Sequence, residues 1–236
     1  MSSLAERIAA LDWPALAAQL DSDGHAQVPG LLDRRQCQWL RALYARDQPF
    51  RSRVVMARHG FGLGEYRYFV YPLPAPLQTL REAFYPPLTG IANAWQQRLG
   101  LAPAYPARHA EFLERCHAAG QLRPTPLLLR YGAGDYNCLH QDLYGELAFP
   151  LQVAILLSQP DEEFTGGEFV LTEQRPRMQS RVEVVPLRQG DALVFAVSQR
   201  PVRGARGDYR VNMRHGVSRL HWGERFTLGV IFHDAL

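Results

Sequence analysis

Apolar positions in the first half of the chain recur mainly with the period of a helix. Asp33 is a candidate N-cap with Gln36 three positions into the following turn, and Cys37, Leu40 and Tyr44 then fall on one face. A second helical stripe is predicted from about Pro87, where Leu88, Ile91, Ala92, Trp95 and Leu99 repeat at i, i+3, i+4, i+7 and i+11. A third helix is expected over about 107–119, with Gly120 as its stop. Between the first two stripes, the glycines and aromatics from Gly60 to Tyr71 suggest a loop leading into a strand, after which Pro72, Pro74 and Pro76 interrupt regular structure.

From about residue 125 the pattern changes to short apolar or alternating runs. Leu127–Tyr131, Gln152–Leu157, Glu168–Leu171, Val182–Val185, Ala192–Val197, Val211–Val217 and Arg225–Phe232 are candidate strands. Gly132-Ala133-Gly134-Asp135, Gly166-Gly167, Gln189-Gly190-Asp191 and Trp222-Gly223-Glu224 supply the turns. Such strands with no helices between them predict a β-sandwich or barrel. No repeat or inter-domain linker is visible. The expected organisation is therefore one domain over 1–236 of α+β class, with 1–120 mainly helical support and 121–236 the β core.

Composition adds exclusions. The chain has 236 residues, 47% of them hydrophobic and 21% charged, an ordinary globular balance with no apolar run of membrane-spanning length. The start, Met1 to Arg7, lacks the basic and apolar blocks of a secretory signal, so a cytoplasmic protein is expected. Cys37, Cys116 and Cys138 are odd in number and widely spaced, which argues against a disulfide framework. Cys138 is expected as a small buried apolar residue on the strand of His140, in preference to a thiolate ligand. Net charge is +3, and every fixed side-chain cation is arginine because the chain has no lysine. Arg200, Arg203, Arg206, Arg210, Arg214 and Arg219 make one stretch strongly basic, with Asp208 the main exception. A solvated segment is the favoured reading there; a phosphate-binding rim is the alternative.

The candidate chemistry lies in His140-Gln141-Asp142. On a strand, His140 and Asp142 share a face and Gln141 points away. With His215 about 75 residues later, they supply two imidazoles and one carboxylate, the donor set of a non-haem iron site with open coordination positions. His221 and His233 are rivals for the third place, but one sits in a turn and the other near the chain end, so His215 is preferred. Asp135 reads as a turn residue, and Tyr136 as either core or substrate contact. Arg214 adjoins His215, and Asn212 has the opposite parity to it. Ten residues beyond His215, Arg225 begins the last strand with Thr227 on the same face, a pair suited to holding a carboxylate.

These residues resemble the Fe(II)- and 2-oxoglutarate-dependent dioxygenases. The resemblance covers about 127–235: Arg130-Tyr131-Gly132-Ala133-Gly134-Asp135-Tyr136 before the triplet, then Gly166-Gly167-Glu168, Gly190-Asp191-Ala192-Leu193-Val194-Phe195, His215 and Arg225. The spacing is closer to the prolyl-hydroxylase branch than to the alkylation-repair demethylases. The whole chain also resembles a bacterial family predicted to act in oxidative demethylation of damaged DNA, through Gly64-Glu65-Tyr66-Arg67-Tyr68-Phe69, Thr172 to Arg177 and Ile231 to Ala235. The resemblance implies a double-stranded β-helix (jelly-roll) core with N-terminal supporting helices. It implies Fe(II) on His140, Asp142 and His215, and 2-oxoglutarate with its far carboxylate on Arg225, assisted by Thr227 and Tyr131. It also implies O2 as oxidant, with succinate and CO2 released. Tyr136 and Arg214 are candidate substrate contacts. Nucleic acid is one candidate substrate; the alternatives are a prolyl or amino-acid hydroxylase and a non-catalytic metal-binding jelly roll.

Overall fold

The structure is a computed structural model and describes residues 2–236. The N-terminal part runs α1 (Leu4–Ala9), α2 (Trp13–Asp23), β1 (His25–Val28), α3 (Arg34–Ala42), β2 (Phe50–Val55), β3 (Gly62–Leu63), β4 (Glu65–Phe69), α4 (Ala75–Arg98) and α5 (His109–Ala118). Strands follow: β5 (Leu127–Tyr131), β6 (Tyr136–His140), β7 (Leu151–Leu156), β8 (Phe164–Gly166), β9 (Phe169–Gln174) and β10 (Arg181–Val185). The last are β11 (Ala192–Ala196), β12 (Gln199–Gly204), β13 (Gly207–Val217), β14 (Leu220–Gly223) and β15 (Arg225–Val230).

Two antiparallel sheets form the jelly-roll core. The larger has the order β1-β11-β7-β15-β5-β4-β2, and the smaller β10-β9-β13-β6-β3 with β12 beside β13. Residues 1–120 are thus more than helical support, because β1, β2 and β4 extend the larger sheet at both ends. β7, β11 and β15 are buried at every position. Their alternate residues serve two cores: Leu151, Val153 and Ile155 join the cluster with the helices, whereas Ala154 and Leu156 join the cluster between the sheets.

The predicted α3 forms with Asp33 and Gln36 in a reciprocal capping box. The second predicted helix starts twelve residues before Pro87, at Ala75, with Pro74 as its N-cap. Pro86 and Pro87 lie inside it, where each removes an amide donor. The buried stripe Leu77, Leu80, Phe84, Leu88, Ala92 and Trp95 keeps one phase across the proline pair, so burial on both sides carries the helix through the break. The third helix matches expectation and ends before Gly120, which has a φ of +84°.

From Arg200 to Arg214 the arginine-rich stretch is the β12–β13 hairpin, and Arg219 follows it. Arg200 is fully buried against Glu173 and donates to the carbonyls of Asp21 and Ser22 at the end of α2, so it is a structural cation. Arg203, Arg206, Arg210, Arg214 and Arg219 are exposed. Cys138 is exposed as well, contrary to its expected burial. No helix among the described residues is long and apolar enough to cross a membrane.

Candidate active site

β6 and β13 pair so that His140 and His215 stand opposite each other, their ring centroids 4.2 Å apart. Asp142 follows two residues after His140, just beyond the end of β6. Its Oδ1 lies 3.5 Å from His140 Nε2 and its Oδ2 lies 3.4 Å from His215 Nε2. Each of the three residues offers one ligand atom, and these atoms lie within 4.8 Å of one another. Gln141 points away and donates to the carbonyls of Ser198 and Met213, which anchors the triplet to the neighbouring backbone. Gly216 permits the close approach of the two strands, since a Cβ there would meet the Asn137 carbonyl oxygen at 2.7 Å.

The surroundings orient the donors. His140 Nδ1 lies 2.8 Å from the Cys138 carbonyl oxygen, an arrangement in which Nδ1–H donates and Nε2 keeps a free lone pair. The Tyr144 hydroxyl donates to Asp142 Oδ1 at 2.6 Å. His215 packs between Phe169 and Phe195, and its Nδ1 is buried without a partner. Burial alone would push the Asp142 carboxyl up, but hydrogen bonds and charge from His140 and His215 hold it well below the usual carboxylate range. Burial lowers His215, and the neighbouring His140 adds to that. A carboxylate ready to ionise beside imidazoles with converging Nε2 atoms suits a divalent first-row metal, and three protein ligands leave positions open. The residues present therefore fit Fe(II).

A second cluster lies on the facing sheet. β5 and β15 pair Tyr131 with Arg225 and Leu129 with Thr227. Arg225 is 1% exposed and donates from Nη1 to Thr227 Oγ1 at 2.6 Å. Its guanidinium lies 5.7 Å from the Tyr131 ring and 6.0 Å from that of Phe164. Among the described residues it forms no ion pair with a carboxylate, and both its Nε and the Tyr131 hydroxyl are buried without partners. Burial pushes the Arg225 guanidinium down to about 10, against the opposing influence of Tyr131 and Glu168. A buried cation without a counter-ion marks a place for an external anion.

One cavity of about 300 Å³ is lined by His140, Asp142, His215, Arg225, Thr227 and Tyr131 together. Tyr136 and Arg214 do not line it. Arg214 adjoins His215 on β13 and therefore faces outward. The register between β6 and β13 slips by one residue between His140 and Asn137, so Asn137 lines the cavity and Tyr136 instead lies under the Arg219 guanidinium at 5.5 Å. Asp135 closes the predicted turn, its carboxylate accepting from the Gly132 amide. His221 is exposed, and His233 is buried behind Tyr144 with its Nδ1 accepting from the Phe149 amide, so neither reaches the His140–Asp142 pair. Sequence reasoning passed over Tyr144 and Gln152, which also line the cavity. Tyr144 continues the spacing of 140 and 142, and Gln152 is the polar position in an otherwise apolar strand.

Residues 64–235 match the model of the Oxygenase-NA family, described as oxygenase, catalysing oxidative methylation of damaged DNA. An uncharacterized protein of Mycobacterium tuberculosis, found in strains CDC 1551 / Oshkosh and ATCC 25618 / H37Rv, is 51% identical over 167 residues, 71% of this chain and 72% of that protein. Among solved structures, an oxidoreductase of the 2OG-Fe(II) oxygenase family from Burkholderia pseudomallei superposes with a TM-score of 0.55 at 18% identity, covering 96% of this chain and 93% of that one. A Pseudomonas putida prolyl-4-hydroxylase superposes with a TM-score of 0.54 at 15% identity, covering 95% and 100%. At these identities the structural likeness speaks for the shared jelly-roll fold. The match over most of the chain settles membership: this protein belongs to the Oxygenase-NA family of oxygenases.

Proposed function

We propose that the protein is an Fe(II)- and 2-oxoglutarate-dependent oxygenase that hydroxylates a C–H bond, releasing succinate and CO2, and that its substrate is a methylated base of damaged DNA. The observation that carries the co-substrate reading is Arg225: a buried guanidinium without a carboxylate partner, in the same cavity as the His140, Asp142 and His215 donors. A non-catalytic metal-binding jelly roll would leave that cation without a purpose. The family description supports the DNA substrate.

In this reading His140 Nε2, His215 Nε2 and the Asp142 carboxylate hold the metal. Bound there, iron supplies the redox chemistry by which dioxygen and the 2-oxo acid are consumed. Arg225 and Thr227 grip the far carboxylate of 2-oxoglutarate, and the unpartnered Tyr131 hydroxyl is placed to assist. Tyr144 holds Asp142 Oδ1, leaving Oδ2 turned toward His215. Phe169, Phe195 and Ala154 keep the inner wall apolar and exclude water. Hydroxylation of an N-methyl carbon gives a hemiaminal that releases formaldehyde, so such an oxygenase removes a methyl group from a base.

The test supplies Fe(II), 2-oxoglutarate and oligonucleotides carrying N-methylated bases, and measures succinate and formaldehyde together. Equal yields of both are expected from the wild type and neither from His140→Ala. Succinate formation that does not depend on Fe(II), or full activity in His140→Ala, would overturn the iron and 2-oxoglutarate assignment. Succinate without formaldehyde from any methylated oligonucleotide, but with a hydroxylated proline peptide, would replace the DNA substrate.

A further inference from the structure

We propose that Gln152 reads the hydrogen-bonding edge of an unstacked base delivered from a single strand, with Phe61 and His59 as a stacking platform at the cavity mouth. The proposal rests on the damaged-DNA reading above and assigns the residues that would recognise that substrate.

Gln152 lies on β7, where its neighbours Leu151 and Val153 turn toward the helices and Gln152 turns with Ala154 toward the space between the sheets. It is 5% exposed and lines the cavity, and its Oε1 has no hydrogen-bond partner among the described residues. A buried amide left unpaired is costly, and the cost is relieved when a ligand supplies the complement. Gly229 on the neighbouring strand lines the same cavity and puts no side chain beside the amide. Gln152 is separated from the anion-binding end: Phe226, next to Arg225, bonds to Leu157, five residues further along the chain. Gln152 pairs instead with Phe195, whose ring lies 4.7 Å from that of His215. The amide therefore stands near the level of His215, at the end of β7 away from Arg225. A neutral amide offers one donor and one acceptor side by side, which matches the edge of a nucleobase.

The mouth carries the features that hold a single strand. Phe61 lines the cavity yet is 47% exposed, and its ring stacks on His59 with centroids 5.3 Å apart and an interplanar angle of 23°. Aromatic faces of this kind receive unpaired bases irrespective of sequence. Arg58 and Arg219 flank the platform: Arg58 precedes His59, and Arg219 covers Tyr136, which pairs with Leu63 two residues from Phe61. Neither arginine, nor Arg214 on the same sheet, has a carboxylate partner among the described residues, so their charge is free for phosphates. A cavity of about 300 Å³ accommodates a base beside a small co-substrate, whereas a stacked duplex cannot enter.

Fluorescence anisotropy on the Fe(II)- and 2-oxoglutarate-loaded protein without oxygen tests this. The probes are a single-stranded oligodeoxynucleotide with one N-methylated base, its unmodified counterpart and the duplex of each. The wild type is expected to bind single strands at least tenfold tighter than duplex. Gln152→Leu should lose roughly tenfold in preference for the methylated base while leaving 2-oxoglutarate affinity unchanged. Gln152→Glu, which keeps the shape but removes the donor, should lose the same preference if the fold is intact. Phe61→Ala should weaken all single strands several-fold without altering base preference. A Gln152→Leu protein that oxidises methylated oligonucleotides with unchanged preference, or whose defect is in 2-oxoglutarate affinity, overturns the inference alone. A wild type that neither binds nor oxidises any oligonucleotide overturns the DNA reading on which it rests.

Discussion

Arg81 and Arg225 are both fully buried arginines near the C-terminal strand, yet their surroundings differ in kind. Arg81 meets Asp234 at 2.9 Å, donates to the carbonyl of Ile231 and that of His233, and reaches the Tyr71 hydroxyl. Asp234 in turn accepts from Tyr71 and His117, so every charge in that region has a partner supplied by the chain itself. Among the described residues, Arg225 has Thr227 alone as a polar partner. Desolvating two ions is repaid only when geometry and hydrogen bonds are complete, as they are around Arg81. Around Arg225 no such set of partners is present among the described residues, which supports the proposed role in holding a co-substrate carboxylate. Buried charge by itself therefore says little; whether its partner is internal separates scaffold from binding site.

The largest effect should come from breaking the internal pair. Asp234→Ala leaves Arg81 buried and unpaired, a change that costs about 3–5 kcal/mol of stability. Urea unfolding should show the midpoint fall accordingly. An unchanged midpoint would mean that Arg81 finds water or another acceptor, and the distinction between the two arginines would collapse.

Acid should weaken the same region first. Burial lowers the imidazoles of His109 and His233 from 6.5 to about 4. Both stay neutral in the folded protein, His109 with a ring nitrogen 2.7 Å from the Phe232 carbonyl oxygen. Once unfolded they protonate at their ordinary value, so the unfolded chain takes up protons between about 6.5 and 4. Stability is full above that window and declines as pH falls through it. Thermal unfolding followed from pH 7 to pH 4 checks this, and a curve flat over the window in the wild type would sink it. His109→Phe, which removes the titrating ring, should flatten part of the slope.

Arg225→Met should have the opposite character to Asp234→Ala. Replacing an unpaired buried cation with an apolar chain of similar length should leave stability unchanged or raise it. Binding of 2-oxoglutarate should fall about 100-fold, the loss of a charge-assisted carboxylate contact in a buried site. Titration calorimetry for binding and urea unfolding for stability separate the two effects. A variant that is destabilised yet still binds 2-oxoglutarate would show that Arg225 is scaffold after all.

The sequence made the candidate donors legible as a group because their spacing is local, and the structure brings them together. His140 and Asp142 share a face by simple alternation, and Arg225 and Thr227 do the same. Nothing local revealed which cations would be neutralised from within: Arg200 sits in a basic run that reads as solvated, yet Glu173 and the end of α2 claim it. The helix through Pro86 and Pro87 was hidden for a related reason, since proline is a local stop and the burial that overrides it is tertiary. Tyr136 and Arg214 lie away from the cavity for two different reasons: Arg214 has the opposite parity to His215 on β13, and Tyr136 is turned by a register slip. Strand parity from Tyr136 to His140 fails at the one-residue slip opposite Gly216, and a slip of one exchanges the two faces of a strand. The cavity-lining Gln152 was visible as a polar interruption, but only the buried, unpartnered amide gives it meaning.

Tyr144 offers the finest test of the comparison, because it extends the logic of internal partners to the proposed metal donors. Its hydroxyl donates to Asp142 Oδ1 at 2.6 Å, while Tyr68 packs edge-on to its ring and the His233 ring lies 5.9 Å from it. The chain thus completes one oxygen of the carboxylate and leaves the other facing His215. Tyr144→Phe removes that hydrogen bond while keeping the ring and its packing. Outer partners of this kind are worth about 10- to 100-fold in metal affinity. Competition with a chelator should show Fe(II) or Mn(II) binding weakened within that range, with the Arg225 cluster and the unfolding midpoint little changed. Metal affinity equal to the wild type would mean that Asp142 is held by its place after β6 and by the two histidines, and that Tyr144 belongs to the scaffold with Arg81.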